Sequence, residues 1–198
     1  PSAKRTLVEQ HTFADPVIET VNGRSLLFDR GAGQFRIQSR TRILHQGDAK
    51  LPILAATIGK NGSYAVATKA ETATSEFSVY NSRKELVFQW QCAGERIAAL
   101  ALSNNGRLAA VAVIGTEQAE LFSKIFIFRV DSAEPMASFA FPETVIARIC
   151  FGKSDTLLAF GDNLVSVMDI EAQSKRDTTF GADTVHRWSV HESGKAVV

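Results

Sequence analysis

The chain has 198 residues, of which 45% are hydrophobic and 22% are charged, and its formal net charge is +1. This composition is typical of a folded globular protein, and the near-zero charge excludes an overall electrostatic attraction to nucleic acid or to an acidic membrane surface. No apolar run approaches the roughly 20 residues of a membrane-spanning helix, and the first ten residues lack the order of a signal peptide. We therefore expect a soluble chain that meets a membrane only through an anchor outside it.

Short apolar segments recur along the chain, each just after a turn sequence. The turns end at Gly23, Gly62, Gly106, Asp155 and Gly194, which are separated by 39, 44, 49 and 39 residues. The segments that follow them begin RSLLFD, SYAVAT, RLAAVAV, TLLAFG and KAVV. Repeats of roughly 40 to 50 residues that contain several strands are typical of the blades of a β-propeller.

Residues 97–142 show the repeat most clearly. The segment 97–103 is small or apolar on both faces, which indicates a strand covered on both sides. Asn105-Gly106 is a tight hairpin signal that favours positive φ at both central residues. The run KIFIFRV favours a strand, and Pro142 ends the last one because proline has no amide hydrogen. The four predicted strands are 97–103, 107–114, 124–130 and 136–141.

The third and fourth strands of this unit have counterparts in the other repeats. The predicted third strands are 34–39, 76–80, 124–130 and 164–170, and the fourth strands are 41–45, 85–90, 136–141 and 175–180. The sequence therefore predicts an all-β, β-propeller-like array of four-stranded antiparallel blades in a single domain over residues 1–198. The predicted blades are 17–48, 53–92, 97–142 and 145–181, followed by a partial fifth at 185–198.

An incomplete last blade leaves an open strand edge, and such an edge tends to pair with another chain. Residues 5–13 (RTLVEQHTF) have strand-like character and would close a ring by completing that blade. Alternatively, the chain is a piece of a larger propeller, or its open blade edges pair with a second copy as a homo-oligomer. We favour these last alternatives over closure within the chain.

Three segments carry a resemblance: GRSLLFDRGAGQFRIQSRTRILHQG at 23–47, VYNSRKELVFQW at 79–90 and ALSNNGRLAAVAV at 101–113. They resemble an uncharacterised family of propeller-like proteins from Gram-positive gut bacteria, classed as a domain of unknown function. The resemblance spans 17–198 and implies a membrane-anchored protein with an extracytoplasmic propeller of more blades. It implies no catalytic residues. More distantly, the pattern is similar to WD-repeat and quinoprotein-like propellers, although their Gly-His and Trp-Asp dipeptides are missing.

Motifs of catalysis and metal binding are weak in this sequence. Gly152-Lys153-Ser154 matches the end of a P-loop, but Ala147 replaces the first glycine and the context is strand, turn and strand. His186 and His191 are five residues apart, which places them on opposite faces of a strand. We therefore predict no catalytic, cofactor-binding or metal-binding residues and no cofactor.

The one candidate patch is basic. Arg36, Arg40 and Arg42 share parity along the third and fourth strands of the first blade, and arginine matches anionic groups with a fork of donors. The alternative is a solvated blade edge whose like charges discourage aggregation. Two longer polar connections, 68–75 and 115–123, are further places where a partner would bind.

The favoured function is a non-enzymatic interaction or scaffold module. It would be the extracytoplasmic part of a bacterial envelope protein that binds a protein or an envelope glycopolymer, and not nucleic acid. The alternative is a carbohydrate-active enzyme, a lyase or hydrolase, with a funnel site completed by missing blades; a structural spacer without a ligand is a third. The inner strands 53–58, 97–102 and 145–151 carry almost no charge beyond Arg148, which favours the binding module.

Overall fold

A computed structural model describes residues 11–152, 156–180, 189–190 and 196–197. Within these ranges every regular element is a β-strand, and neighbouring strands of each sheet pair antiparallel. In the described part of the chain, no helix combines the length and apolar character needed to cross a membrane. The predicted all-β class is confirmed.

The strands form four sheets of four and one sheet of two. The first blade contains β1 (Pro16–Val21), β2 (Arg24–Asp29), β3 (Gln34–Ser39) and β4 (Ile43–Asp48). The second contains β5 (Ile53–Ile58), β6 (Tyr64–Lys69), β7 (Ser75–Tyr80) and β8 (Leu86–Cys92). The third contains β9 (Arg96–Leu102), β10 (Leu108–Glu117), β11 (Glu120–Arg129) and β12 (Pro135–Pro142). The fourth contains β13 (Ile146–Phe151), β14 (Thr156–Gly161), β15 (Leu164–Asp169) and β16 (Ser174–Thr179), and β17 (Ser189–Val190) pairs with β18 (Ala196–Val197).

The innermost strands β1, β5, β9 and β13 contact one another in chain order, so the blades are arranged as a propeller. Neighbouring blades pack face to face, which explains why β5 (ILAATI) is buried at all six positions. Three apolar clusters fill the three spaces between neighbouring blades. Their most deeply buried large side chains include Leu26 and Ile53 in the first, Phe77 and Phe128 in the second, and Ile125 and Met168 in the third.

A buried serine joins each of two blades to the next. The Ser123 hydroxyl donates to the Thr144 carbonyl at 2.8 Å and accepts from the Ile146 amide at 2.9 Å. Ser75 does the same one blade earlier, where its hydroxyl donates to the Glu95 carbonyl and accepts from the Ile97 amide, both at 3.1 Å. In both cases the serine satisfies backbone groups at the point where the chain enters the next inner strand.

The prediction of a polar connection at 115–123 is wrong. The strands β10 and β11 continue through it as one long hairpin, which turns at Gln118 and Ala119 with φ of 51° and 67°. Gly115 pairs with Phe122, and a Cβ on Gly115 would lie 2.7 Å from the Phe122 Cζ atom, so the ring covers the glycine. Cross-strand packing therefore extends a segment whose polar sequence resembles a loop.

The Asn-Gly turns have two geometries. Asn22 and Gly23 both have positive φ, as a two-residue hairpin requires. At 105–106 only Gly106 has positive φ (71°), and the Asn105 carboxamide oxygen accepts from the Arg107 amide at 3.0 Å. The expectation of positive φ at both residues is therefore wrong for this turn, because the asparagine side chain stabilises a different one.

Several predicted features lie outside the described residues. They are the turns at 153–155 and 192–194, the strand candidate 5–13 except for its last three residues, and the fifth blade except for β17 and β18. Lys153, Ser154, His186 and His191 belong to the same set.

Candidate binding groove

An open groove of about 720 Å³ lies between the first and second blades. One wall comes from β3 and β4, and the other from β6, β7 and β8. Gly47 leaves room for the Phe35 ring, because a Cβ at that position would stand only 2.3 Å from the Phe35 Cζ atom. The Phe35 ring therefore lies across β4 and forms part of the groove lining.

Aromatic rings form the floor of this groove. Tyr64 and Tyr80 stack with a centroid distance of 4.8 Å and an interplanar angle of 11°. His45 and Phe35 each pack against Tyr64 at 5.7 Å. Tyr64 is buried, whereas Tyr80 is half-buried and lines the groove. The stack therefore holds the Tyr80 ring in place, and part of that side chain stays exposed in the groove.

The floor is uncharged at neutral pH. Burial lowers the pKa of His45, and the nearby positive charge of Lys84 acts in the same direction. Burial also raises the pKa of Tyr64 to about 12, with a further contribution from Tyr80. The Tyr64 hydroxyl and His45 Nε2 are 3.2 Å apart, so the two neutral groups share a hydrogen bond.

The wall formed by β7 and β8 is polar because these strands alternate. Glu76 and Ser78 face the groove, while the intervening Phe77 and Val79 are buried in the core toward the third blade. Gln89 and Gln91 continue the polar wall on β8, and the Gln91 amide donates to Glu76 Oε2 at 3.0 Å. The charged lining residues are the carboxylates Asp48, Glu71 and Glu76 and the lysines Lys50 and Lys84. Their charges nearly cancel.

Two of the three candidate arginines line two other depressions, one each. Arg36 is 7% exposed on β3 and lines an open cleft of about 890 Å³ with Phe13 and Asp48. Its Nε has no hydrogen-bond partner in the described part of the chain. Arg40 and Arg42 are exposed in the turn between β3 and β4, and Arg42 lines a shallow depression with Arg24. Four residues of strand separate Arg36 from Arg40, which corresponds to about 13 Å.

A second polar cluster, missed by the sequence analysis, lies on the innermost strands. Glu19 of β1 is hydrogen-bonded to Thr57 of β5, with the positive charge of Arg148 on β13 close by. Burial raises the pKa of Glu19, although the Thr57 bond and Arg148 act against it. The signal was present in β1, because Glu19 is the one charged residue of the strand PVIETV.

The two cysteines are free thiols of low reactivity. Burial raises the pKa of Cys92 to about 11, and the Cys92 thiol donates to Glu95 Oε2 at 3.1 Å. Burial likewise raises the pKa of Cys150 to about 11. At neutral pH both are protonated, and a protonated thiol is a poor nucleophile.

The two predicted partner-binding connections differ in their position. Thr68 near the end of β6 and Glu71 and Thr72 in the connection after that strand line the groove. The tip of the β10 and β11 hairpin instead lines a separate depression with Lys124 and Pro142. In the described residues, no group of three histidine, cysteine or carboxylate side chains is placed to hold a metal ion.

The family of unknown function DUF5711 matches residues 4–193 of this chain. The chain belongs to that family. The DUF5711 match confirms the expected membership in a propeller-like domain of unknown function. No curated protein matches the sequence.

Solved structures similar to this DUF5711 chain show its fold. One is KlHsv2 with loop 6CD replaced by a Gly-Ser linker, with a TM-score of 0.56 and 16% identity over 87% of this chain and 60% of that one. Another is Kuenenia stuttgartiensis hydrazine synthase, with a TM-score of 0.66 and 12% identity over 98% of this chain and 57% of that one. The DUF5711 chain thus spans about three fifths of the length of each of these two chains.

Proposed function

We propose that the protein is a non-enzymatic interaction module and that the groove between its first and second blades holds part of the partner. The observation that carries this proposal is the lining of the groove. A rigid stack of uncharged rings lies beside a wall of carboxamide, hydroxyl and carboxylate groups. Ligand sites typically combine an apolar surface with a few convergent polar groups in this way.

Two ionisable groups of the groove, His45 and Glu76, support binding over catalysis. His45 shares a hydrogen bond with the buried Tyr64 hydroxyl, and Glu76 accepts from Gln91. These four side chains are hydrogen-bonded to one another in two pairs. Such an arrangement fixes the shape of a surface, which lowers the ordering cost of binding.

The proposal includes the setting of the module. Residues 1–198 would form one propeller-like domain on the extracytoplasmic side of a bacterial membrane, joined to it by an anchor outside this chain. The partner would be a protein or an envelope glycopolymer. The resemblance of segments 23–47, 79–90 and 101–113 to membrane-anchored proteins of Gram-positive gut bacteria supports this setting.

The experiment compares three forms of the chain for capture of native envelope material. Ser78→Trp places a large ring in the groove wall, and Ser132→Trp places the same ring in an exposed turn of the third blade. We expect the unmodified chain and Ser132→Trp to retain the same envelope glycopolymer or protein, and Ser78→Trp to lose it. Equal retention by all three folded forms, or retention no greater than that of an unrelated protein, would contradict the proposal.

A further inference from the structure

We propose that the groove binds a neutral oligosaccharide, with one sugar ring packed against Tyr80. This inference rests on the proposed binding function and names the ligand class of the same site. Three properties of the groove carry it: the fixed aromatic surface, the mixed donors and acceptors of the wall, and the near-balance of charge.

The aromatic surface suits the flat, CH-rich face of a sugar ring. Tyr64 covers one face of Tyr80 and is itself fixed by His45 and Phe35. Because Tyr80 is only half-buried, ring surface remains within the groove. Aromatic side chains provide a large contact area with a polar end, and a ring that is already held costs little entropy on binding.

The polar wall suits hydroxyl groups. The carboxamides of Gln89 and Gln91 and the Ser78 hydroxyl can each donate and accept, while Glu76 accepts. Sugar hydroxyls also both donate and accept, so this set matches several of them at once. An extended peptide would instead pair its backbone with an open strand edge. The groove wall is the face of β7 and β8, whose side chains and not backbone groups meet the ligand.

The charges disfavour an ionic ligand. Three carboxylates and two lysines line the groove, which leaves it close to neutral. The Tyr64 and Tyr80 rings are stacked at 4.8 Å, so a cation cannot enter between them. The positive charge of Lys84 lies near His45 at the same end of the groove and repels a cation there. The volume of about 720 Å³ falls within the roughly 300 to 1,000 Å³ of ordinary ligand sites. A short oligosaccharide therefore fits both its charge and its size.

The test measures binding of defined neutral tetrasaccharides to the full chain by titration calorimetry. The probes are cellotetraose, maltotetraose, mannotetraose and N-acetylated chitotetraose, with tetragalacturonate and an uncharged peptide as comparison ligands. We expect at least one neutral probe to bind with a Kd below about 1 mM. Tyr80→Phe keeps the ring and should change that Kd by less than about threefold, whereas Tyr80→Ala should weaken binding by about tenfold or more.

Two further variants keep the result interpretable. Gln89→Ala alters an exposed side chain of the wall and should also weaken binding. Val87→Ala alters an exposed residue of the same strand that does not line the groove, and it should bind as the unmodified chain does. If Tyr80→Ala fails to fold, Gln89→Ala against Val87→Ala still decides the question.

Binding of none of the neutral probes, binding of only the charged glycan or the peptide, or equal binding by Gln89→Ala and Val87→Ala would overturn the inference. These outcomes are distinguishable from failure of the proposed function. If the neutral probes fail while Ser78→Trp still abolishes capture of envelope material, the ligand class is wrong and the binding role stands. If Ser78→Trp captures normally, the groove itself is not the site.

Discussion

Replacing Ser123 with alanine removes the hydroxyl that joins the third blade to the fourth. That hydroxyl donates to the Thr144 carbonyl at 2.8 Å and accepts from the Ile146 amide at 2.9 Å. Ser123 and Ile146 are both 0% exposed and Thr144 is buried, so water cannot take the place of the hydroxyl without rearrangement. The substitution leaves one buried donor and one buried acceptor without their partner.

The expected loss follows from these two groups. A hydrogen bond contributes about 1 kcal/mol net to stability, and a buried group left unsatisfied costs about 1 to 3 kcal/mol. With partial relaxation at the two positions, we expect Ser123→Ala to lower the free energy of unfolding by about 2 to 4 kcal/mol. The loss of packing from one oxygen atom is small beside this.

The assay is equilibrium unfolding of the full chain in urea, followed by circular dichroism. Ser132→Ala is the matched control, because its hydroxyl makes a long, exposed bond of 3.4 Å to the Glu134 carbonyl. Ser132→Ala should change the free energy of unfolding by no more than about 0.5 kcal/mol. Ser75→Ala removes the equivalent pair of hydrogen bonds, both of 3.1 Å, between the second and third blades. Its loss of unfolding free energy should be close to that of Ser123→Ala. A Ser123→Ala effect equal to that of Ser132→Ala would refute the reasoning.

Four other predictions concern single positions. Gly47→Ala forces the Phe35 ring to move, since a Cβ would stand 2.3 Å from its Cζ atom. The substitution should lower the free energy of unfolding in urea by about 1 to 3 kcal/mol. Gly94→Ala is its control, because a Cβ at that position meets nothing within 4 Å. Ala119→Gly relieves a φ of 67° in the β10 and β11 turn and should raise stability by about 1 kcal/mol, whereas an unchanged midpoint would show that the turn is unstrained. Burial raises the pKa of Glu19, so the folded state holds that proton more tightly than the unfolded state. The contribution of this proton to stability is complete below the ordinary pKa of 4.5 and is lost as the pH rises through the folded value. Glu19→Gln should therefore flatten the decline of the free energy of unfolding with pH, and an unchanged decline would contradict this prediction. Burial also raises the pKa of both thiols to about 11, so alkylation at neutral pH should be slow until urea unfolds the chain; rapid labelling of the folded form would contradict this.

The strands that the sequence predicted well are those with strong local signals. The third strand of the first blade was predicted at 34–39 and lies at Gln34–Ser39. Its apolar residues alternate with polar ones, and the glycines Gly31 and Gly33 precede it. The small and apolar segment of β9 was predicted as covered on both faces because a strand without a polar face needs neighbours on each side.

The extended hairpin of the third blade was not predicted because its polar residues carry no strand signal of their own. Residues such as Thr116 and Glu117 become strand only because Leu121 and Glu120 stand opposite them in register. The pairing of β10 with β11 supplies hydrogen bonds that local propensity does not encode. A tertiary contact, the Phe122 ring over Gly115, then stabilises the register.

The three candidate arginines show that local sequence also fails to determine which residues form one site. Equal parity along the strand grouped Arg36 with Arg40 and Arg42, and parity does determine which face a side chain takes. It does not determine what covers that face. The structure buries Arg36 in one cleft and leaves Arg40 and Arg42 exposed at the end of the hairpin, so the three do not line one depression.

By itself, the sequence determined the propeller, its repeat of strands and the places of most turns, because strand alternation and turn chemistry act over a few residues. Only the tertiary structure decided the groove. His45, Tyr64 and Tyr80 come from three strands of two blades, and they meet because blade packing brings distant segments within contact distance. It also decided the partnership of Glu19 with Thr57, since two inner strands that are far apart in sequence lie side by side around one axis.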